Sequence, residues 1–141
     1  MHPYSAEIFK RFPELPDARD DEDLPYLMGG DLVDWLASLA KLQLSAAVIR
    51  RVVDFHNWCM SQPRGEDAGD DIMTIQAVGF FENVFEHDEL LPLILHLTTR
   101  RELIDNREYL VNWVGQARYD AALKLMSPIP KKHQKKHGGR R

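Results

Sequence analysis

The sequence predicts an all-α fold, and three observations lead there. Apolar residues recur at spacings of three and four, no segment alternates as a strand would, and helix-start and helix-stop residues fall between the periodic stretches. The expectation is five or six helices in antiparallel hairpins, with a helical-repeat-like stack as one arrangement, over residues 1–126. A disordered basic tail is expected over residues 127–141. At 141 residues, with 44% hydrophobic and 28% charged content, the chain suits one soluble domain with a real core.

The first predicted helix, Tyr4 to Phe12, ends at Pro13. Pro13, Pro16 and Pro25 then punctuate an extended stretch, because each lacks a donor N–H and restricts the residue before it. Gly29-Gly30 reads as a turn with Asp31 as the next N-cap. Leu32, Leu36, Leu39 and Ala40 follow on one helical face, beside Val33 and Trp35. Ser45 caps a further helix with a stripe of Val48, Ile49, Val52, Val53, His56 and Cys59. The short connection at Gln43-Leu44 makes the two a helical hairpin.

Gln62 to Gly69 has loop composition. Asp70 or Asp71 caps a third long helix with Ile72, Ile75, Val78, Gly79, Glu82 and Phe85 in register, and Gly79 permits close approach of another helix. Asp88 and Pro92 open a fourth, through Leu93, Ile94 and Leu97. Thr99-Arg100-Arg101-Glu102 and Asp105-Asn106-Arg107-Glu108 are both capping-box patterns, so a short helix and a break near Ile104 are expected. The last helix runs to about Met126 with Leu110, Val114, Ala117, Ala121 and Leu125 inward, and Pro128 and Pro130 stop it.

Charge is divided unevenly. Residues 131–141 hold six Lys/Arg and no acid, leaving 12 Lys/Arg against 22 acids in residues 1–130. The net charge of -4 is therefore a body near -10 carrying a tail near +6. Such a body repels polyanions and attracts basic partners. The acids group at Asp17 to Asp23, at Glu66 to Asp71 and at Glu82 to Glu89. From these, Asp20, Asp21, Glu22, Asp23, Glu82, Glu86, Asp88 and Glu89 are the candidate partner-binding residues. Phe80, Phe81 and Phe85 beside the last group form a plausible hot spot. A carboxylate at Glu82, on or near an inward stripe, needs a partner, an Arg or a Trp Nε1–H. The alternative site is the tail, where Lys131, Lys132, Lys135, Lys136, Arg140 and Arg141 offer phosphate contacts to nucleic acid; folding back on the acidic body and a role in solubility alone are the tail's other readings.

Reaction chemistry has little footing. His56 and Cys59 sit at a spacing zinc sites use, but both lie on an apolar stripe without further ligands, so they are read as packing residues. Glu86-His87 and His96 have no nucleophile motif with them. Phosphate loop, Gly-x-Ser-x-Gly and His-Glu-x-x-His patterns are absent, so neither enzyme activity, a metal nor a cofactor is expected. Trp35, Trp58 and Trp113 are expected to pack. The longest apolar run, Leu90 to Leu97, is too short to span a bilayer, so no membrane association is expected. A lone Cys59 and an N-terminus without a signal-peptide plan point to the cytoplasm.

Phe12-Pro13-Glu14-Leu15, the Leu32–Leu42 and Val48–Met60 helices, and Ile75-Gln76-Ala77-Val78-Gly79-Phe80-Phe81-Glu82 together resemble an uncharacterised bacterial all-helical family. Its members are similar to immunity proteins of polymorphic toxin loci. The resemblance covers roughly Tyr4 to Met126, and its Gln-apolar-Glu signature falls on Gln76 and Glu82 here. It implies a helical, antitoxin-like binding protein with a basic toxin, most simply a nuclease, as partner. A nucleic-acid-associated protein acting through the tail is the alternative.

Overall fold

The structure, a computed structural model, describes residues 1–16 and 21–126. Asp17, Asp20, the Pro128/Pro130 stop and the whole basic tail therefore lie outside the described residues. Among those described the chain is all-helical, without a strand. The helices are α1 (Pro3–Arg11), α2 (Pro25–Ala40), α3 (Ala46–Met60), a composite α4 over residues 72–84, α5 (Leu91–Leu97), α6 (Arg100–Asp105), α7 (Arg107–Val114) and α8 (Gln116–Leu125). Among the described residues no helix is long and apolar enough to cross a membrane.

Helix α1 lies against both α2 and α3, which the short turn joins. Phe12 makes edge contacts with Trp35 (6.0 Å) and Phe55 (5.9 Å), and Tyr4 packs on Phe55 at 5.4 Å. The Phe-Pro-Glu-Leu segment after α1 is a clamp. Arg51 of α3 grips Glu14 with two guanidinium nitrogens, donates to the Arg11 carbonyl at 2.7 Å, and lies over the Phe12 ring. Helix α3 starts as expected, with Ser45 Oγ accepting from Val48 N–H, but Phe55 joins Val52 and Cys59 at its buried centre. Val48, Ile49 and Val53 stay half-buried.

The largest departure from expectation is at Gly29-Gly30. These residues are not a turn; α2 starts four residues earlier, at Pro25, and passes through them. A Cβ on Gly29 would stand 2.8 Å from the Gly79 backbone, and one on Gly79 would stand 3.1 Å from the Tyr26 carbonyl oxygen. The glycines thus let two helices touch backbone to backbone, a gain that offsets the helix propensity they cost. Tyr26 meets Gly79, Gly30 faces Asn83, and Asp34 faces His87. Each step advances one turn in both segments, so α2 and α4 run side by side in the same direction.

Asp71 caps α4 by accepting from Thr74 N–H, and it also holds Gly65 N–H (2.9 Å) and Arg64 (2.8 Å), tying down the preceding loop. Thr74 and Gly65 donating to it keep its carboxyl below the usual range, with Arg64 adding to the effect. Helix α4 is an α turn (Ile72–Ile75), a π-helical segment (Gln76–Phe81) and a last α turn (Glu82–Val84). Its buried pairs Ile75/Gln76, Gly79/Phe80 and Val84/Phe85 are spaced by four and then by five, and the π segment absorbs the extra residue.

The Thr99/Glu102 capping box forms in both halves, and the break after it falls at Asn106. The final helix is not continuous. Gly115 adopts φ +94° and divides it, so Tyr119 and Ala122 take the inward positions while Ala117 and Leu125 face solvent. Tyr119 donates to the Leu103 carbonyl at 2.8 Å and closes α8 onto α6.

Candidate functional site

Two acid groups far apart in sequence meet along α2. A turn closed by Leu24 N–H donating to the Asp21 carbonyl (2.8 Å) folds Asp21 back toward Asp31. One turn further along the helix, Asp34 faces His87, with Oδ1 3.7 Å from Nε2, and Nδ1 of the same ring lies 3.8 Å from Glu89. Both distances exceed a hydrogen bond, so His87 spans the two carboxylates without neutralising them unless it is protonated. The Asp88–Leu90 turn packs against α2 and carries Glu89 to this edge. The result is an acidic rim of Asp21, Asp31, Asp34 and Glu89, with Glu22, Glu86 and Asp88 adjoining in sequence. Asp23 pairs instead with the Met1 amino group at 3.3 Å.

Asp31 carries the electrostatic stress of this rim. Its Oδ2 is buried and finds no donor among the described residues. The Asp21 carboxyl beside it disfavours a second negative charge at this point. Burial, then Asp21, then the charge of Asp34 push Asp31 up to about 7. A small hollow of about 280 Å³ opens beside it, walled by Leu15, Pro16 and Trp35.

Glu82 separates from this group. It is 8% exposed and accepts a hydrogen bond from the Tyr109 hydroxyl of α7, a partner of neither kind the sequence suggested. Burial raises its carboxyl and the Tyr109 bond pulls it back; burial and the same bond raise the Tyr109 hydroxyl. Above this pair, Tyr109 and Trp113 form an open aromatic contact at 6.4 Å. Trp113 is 62% exposed, contrary to its expected packing role, because Leu110 and Val114 take the inward positions of this turn.

Gln76 lies at the centre of a buried polar chain. Tyr4 Oη donates to Gln76 Oε1 at 2.7 Å, and Gln76 Nε2 contacts His56 Nδ1 at 3.0 Å. The amide then donates to Nδ1 and leaves the His56 proton on Nε2. Burial keeps this imidazole below its ordinary range, opposed by the charge of Glu102. Cys59 is fully buried, and burial pushes its thiol up. Both residues pack as the sequence indicated, although His56 does so through a hydrogen bond. Among the described residues no three His, Cys, Asp or Glu side chains are placed to hold a metal ion.

Asp31 escapes sequence reasoning because the Gly-Gly pair makes it read as a helix N-cap, and Asp34 because its neighbour His87 is far away in the chain. Their three-residue spacing would place them on one face once α2 is known to be continuous. Tyr109 and Trp113, four apart, carry the same kind of signal. No family model matches the chain, and no curated protein or solved structure matches it.

Proposed function

We propose that this chain is a small cytoplasmic protein-binding module whose acidic rim receives a basic protein. Within that reading it is an immunity protein that occludes a basic toxin, in the simplest case a nuclease, and acts by blocking rather than by catalysis. One observation carries the reading. Among the described residues, no Lys or Arg pairs with Asp21, Glu22, Asp31, Asp34, Glu86, Asp88 or Glu89. Carboxylates that no Lys or Arg among the described residues offsets leave a surface that a cationic partner relieves. Nuclease sites are basic because they hold phosphates, so an acidic decoy both finds and covers them quickly.

The test is affinity capture from the source cell lysate with three forms of the protein: intact, Asp34/Glu86/Asp88/Glu89→Lys, and lacking residues 131–141. A basic protein retained by the intact and shortened forms, lost on charge reversal, and inhibited in its activity by the intact form is the expected result. RNA or DNA captured by the intact form and lost only with the tail would replace this reading with the nucleic-acid one.

A further inference from the structure

We infer that the cleft beneath the α2–α3 turn seats an apolar side chain projecting from a basic helix of the partner. This rests on the reading that a basic protein is bound, and it names the segment that protein presents. The cleft holds about 450 Å³ between Leu42, Leu44 and Ile49 on one side and Pro92 and Leu93 on the other, with Glu89 at its rim. Leu42 is 91% exposed, and the next residue, Gln43, adopts φ +102° without being glycine. The turn therefore bears two local costs, an apolar side chain in water and a left-handed backbone. A ligand side chain against Leu42 would recover the first.

Charge selects the occupant. Glu89 lines the cleft and, through His87, adjoins Asp34, so apolar cleft and acidic rim form one continuous surface. Within the cleft Lys41 and Glu89 offset one another beside His96, so the excess negative charge comes from the adjoining rim through Asp34. A helix with one large apolar residue and Lys or Arg three and four positions away satisfies both parts at once. The body of a second copy would set acidic rim against acidic rim, which like charge opposes.

The probes are two synthetic helical peptides of equal charge, lysine-rich on one face, one with a Phe anchor among the lysines and the other with Ser in its place. Binding to the full chain is followed by amide chemical shifts at low and moderate salt. The Phe peptide is expected to bind about tenfold tighter, since burial of one aromatic side chain contributes that much or more. Its shifts should centre on Leu42, Leu44 and Ile49, and Leu42→Ser, a change at an exposed position, should erase the preference. Equal binding of both peptides would overturn the cleft while leaving the acidic rim intact. Binding of neither peptide at low salt would overturn both. A Phe preference with shifts at Tyr109 and Trp113 would move the anchor site to that aromatic pair and overturn this one.

Discussion

Along one face of α2, Tyr26, Gly29 and Gly30 lie against Gly79 and Asn83, closely enough that a single methyl on Gly29 would collide with backbone. At the edge of that face, Asp31 and Asp34 stand among carboxylates with a distant imidazole for relief. The same sixteen-residue helix thus contributes stability where it is packed and forgoes it where it is charged. The difference teaches where to look for function in a helical protein. Close packing explains itself, whereas charge that no Lys or Arg among the described residues offsets asks for a ligand.

The packed face is the easier to break. Gly29→Ala should lower stability by about 2–3 kcal/mol, because the new Cβ meets the Gly79 backbone, which cannot move aside alone. Gly30→Ala, one residue on, meets only Asn83 Nδ2 at an ordinary 3.7 Å and should be neutral or stabilising by up to about 1 kcal/mol. Thermal and urea unfolding of the pair measures both. Equal gains would mean that helix propensity, not the crossing, governs these sites.

Glu82 sharpens the contrast, being a buried carboxylate that does have a donor. Tyr109→Phe should cost about 1–2 kcal/mol at pH 7 by leaving that carboxylate unpaired. Because burial holds the Glu82 carboxyl above its ordinary value of 4.5, its protonated form is favoured in the folded state. The cost should therefore shrink as pH falls toward 4. Stability of the variant across that range is the check, and a pH-independent loss would assign the effect to packing instead.

The charged face should respond in the opposite sense. Asp31 is raised from 3.8 to about 7, so the folded protein holds its proton longer than the unfolded chain does. The stability this contributes is fully present below pH 3.8 and is lost as pH rises through about 7. Asp31→Asn should consequently gain on the parent with rising pH, by roughly 0.5–1 kcal/mol at pH 8 after allowance for solvent screening. Unfolding series at pH 5 and pH 8 decide the sign. Smallest of all, Glu86/Asp88/Glu89→Lys should shift stability by no more than about 0.5 kcal/mol, while slowing association with a basic partner and flattening its salt dependence. A large loss of stability would make these acids structural.

Much of the local architecture is legible in residue order. Ser45 and Thr99 cap where a short acceptor precedes a helical run, and Asp71 does so with the added grip of Gly65 and Arg64. Gly79 is recognisable as a point of close approach, although its partner glycine is not. The final helix could not be read as broken, since Gly115 within a periodic stretch looks like a tolerated glycine until its φ is seen. Of the candidate site, the acids of Asp21 to Asp23 and Glu86 to Glu89 were visible as composition. Their junction was not, because it runs through Asp31 and Asp34.

What the sequence by itself determined is the helical class, most helix starts and the acidic sign of the body, each of which depends on neighbours within a turn or two of chain. Tertiary structure alone decided three things: that Gly29 and Gly79 meet, that Tyr109 rather than Arg or Trp satisfies Glu82, and that Asp34 reaches His87 and Glu89. Those contacts join residues far apart in the chain, and their partners are selected by which helices can approach most closely. That choice belongs to the packing of the whole core, to which no local spacing gives access.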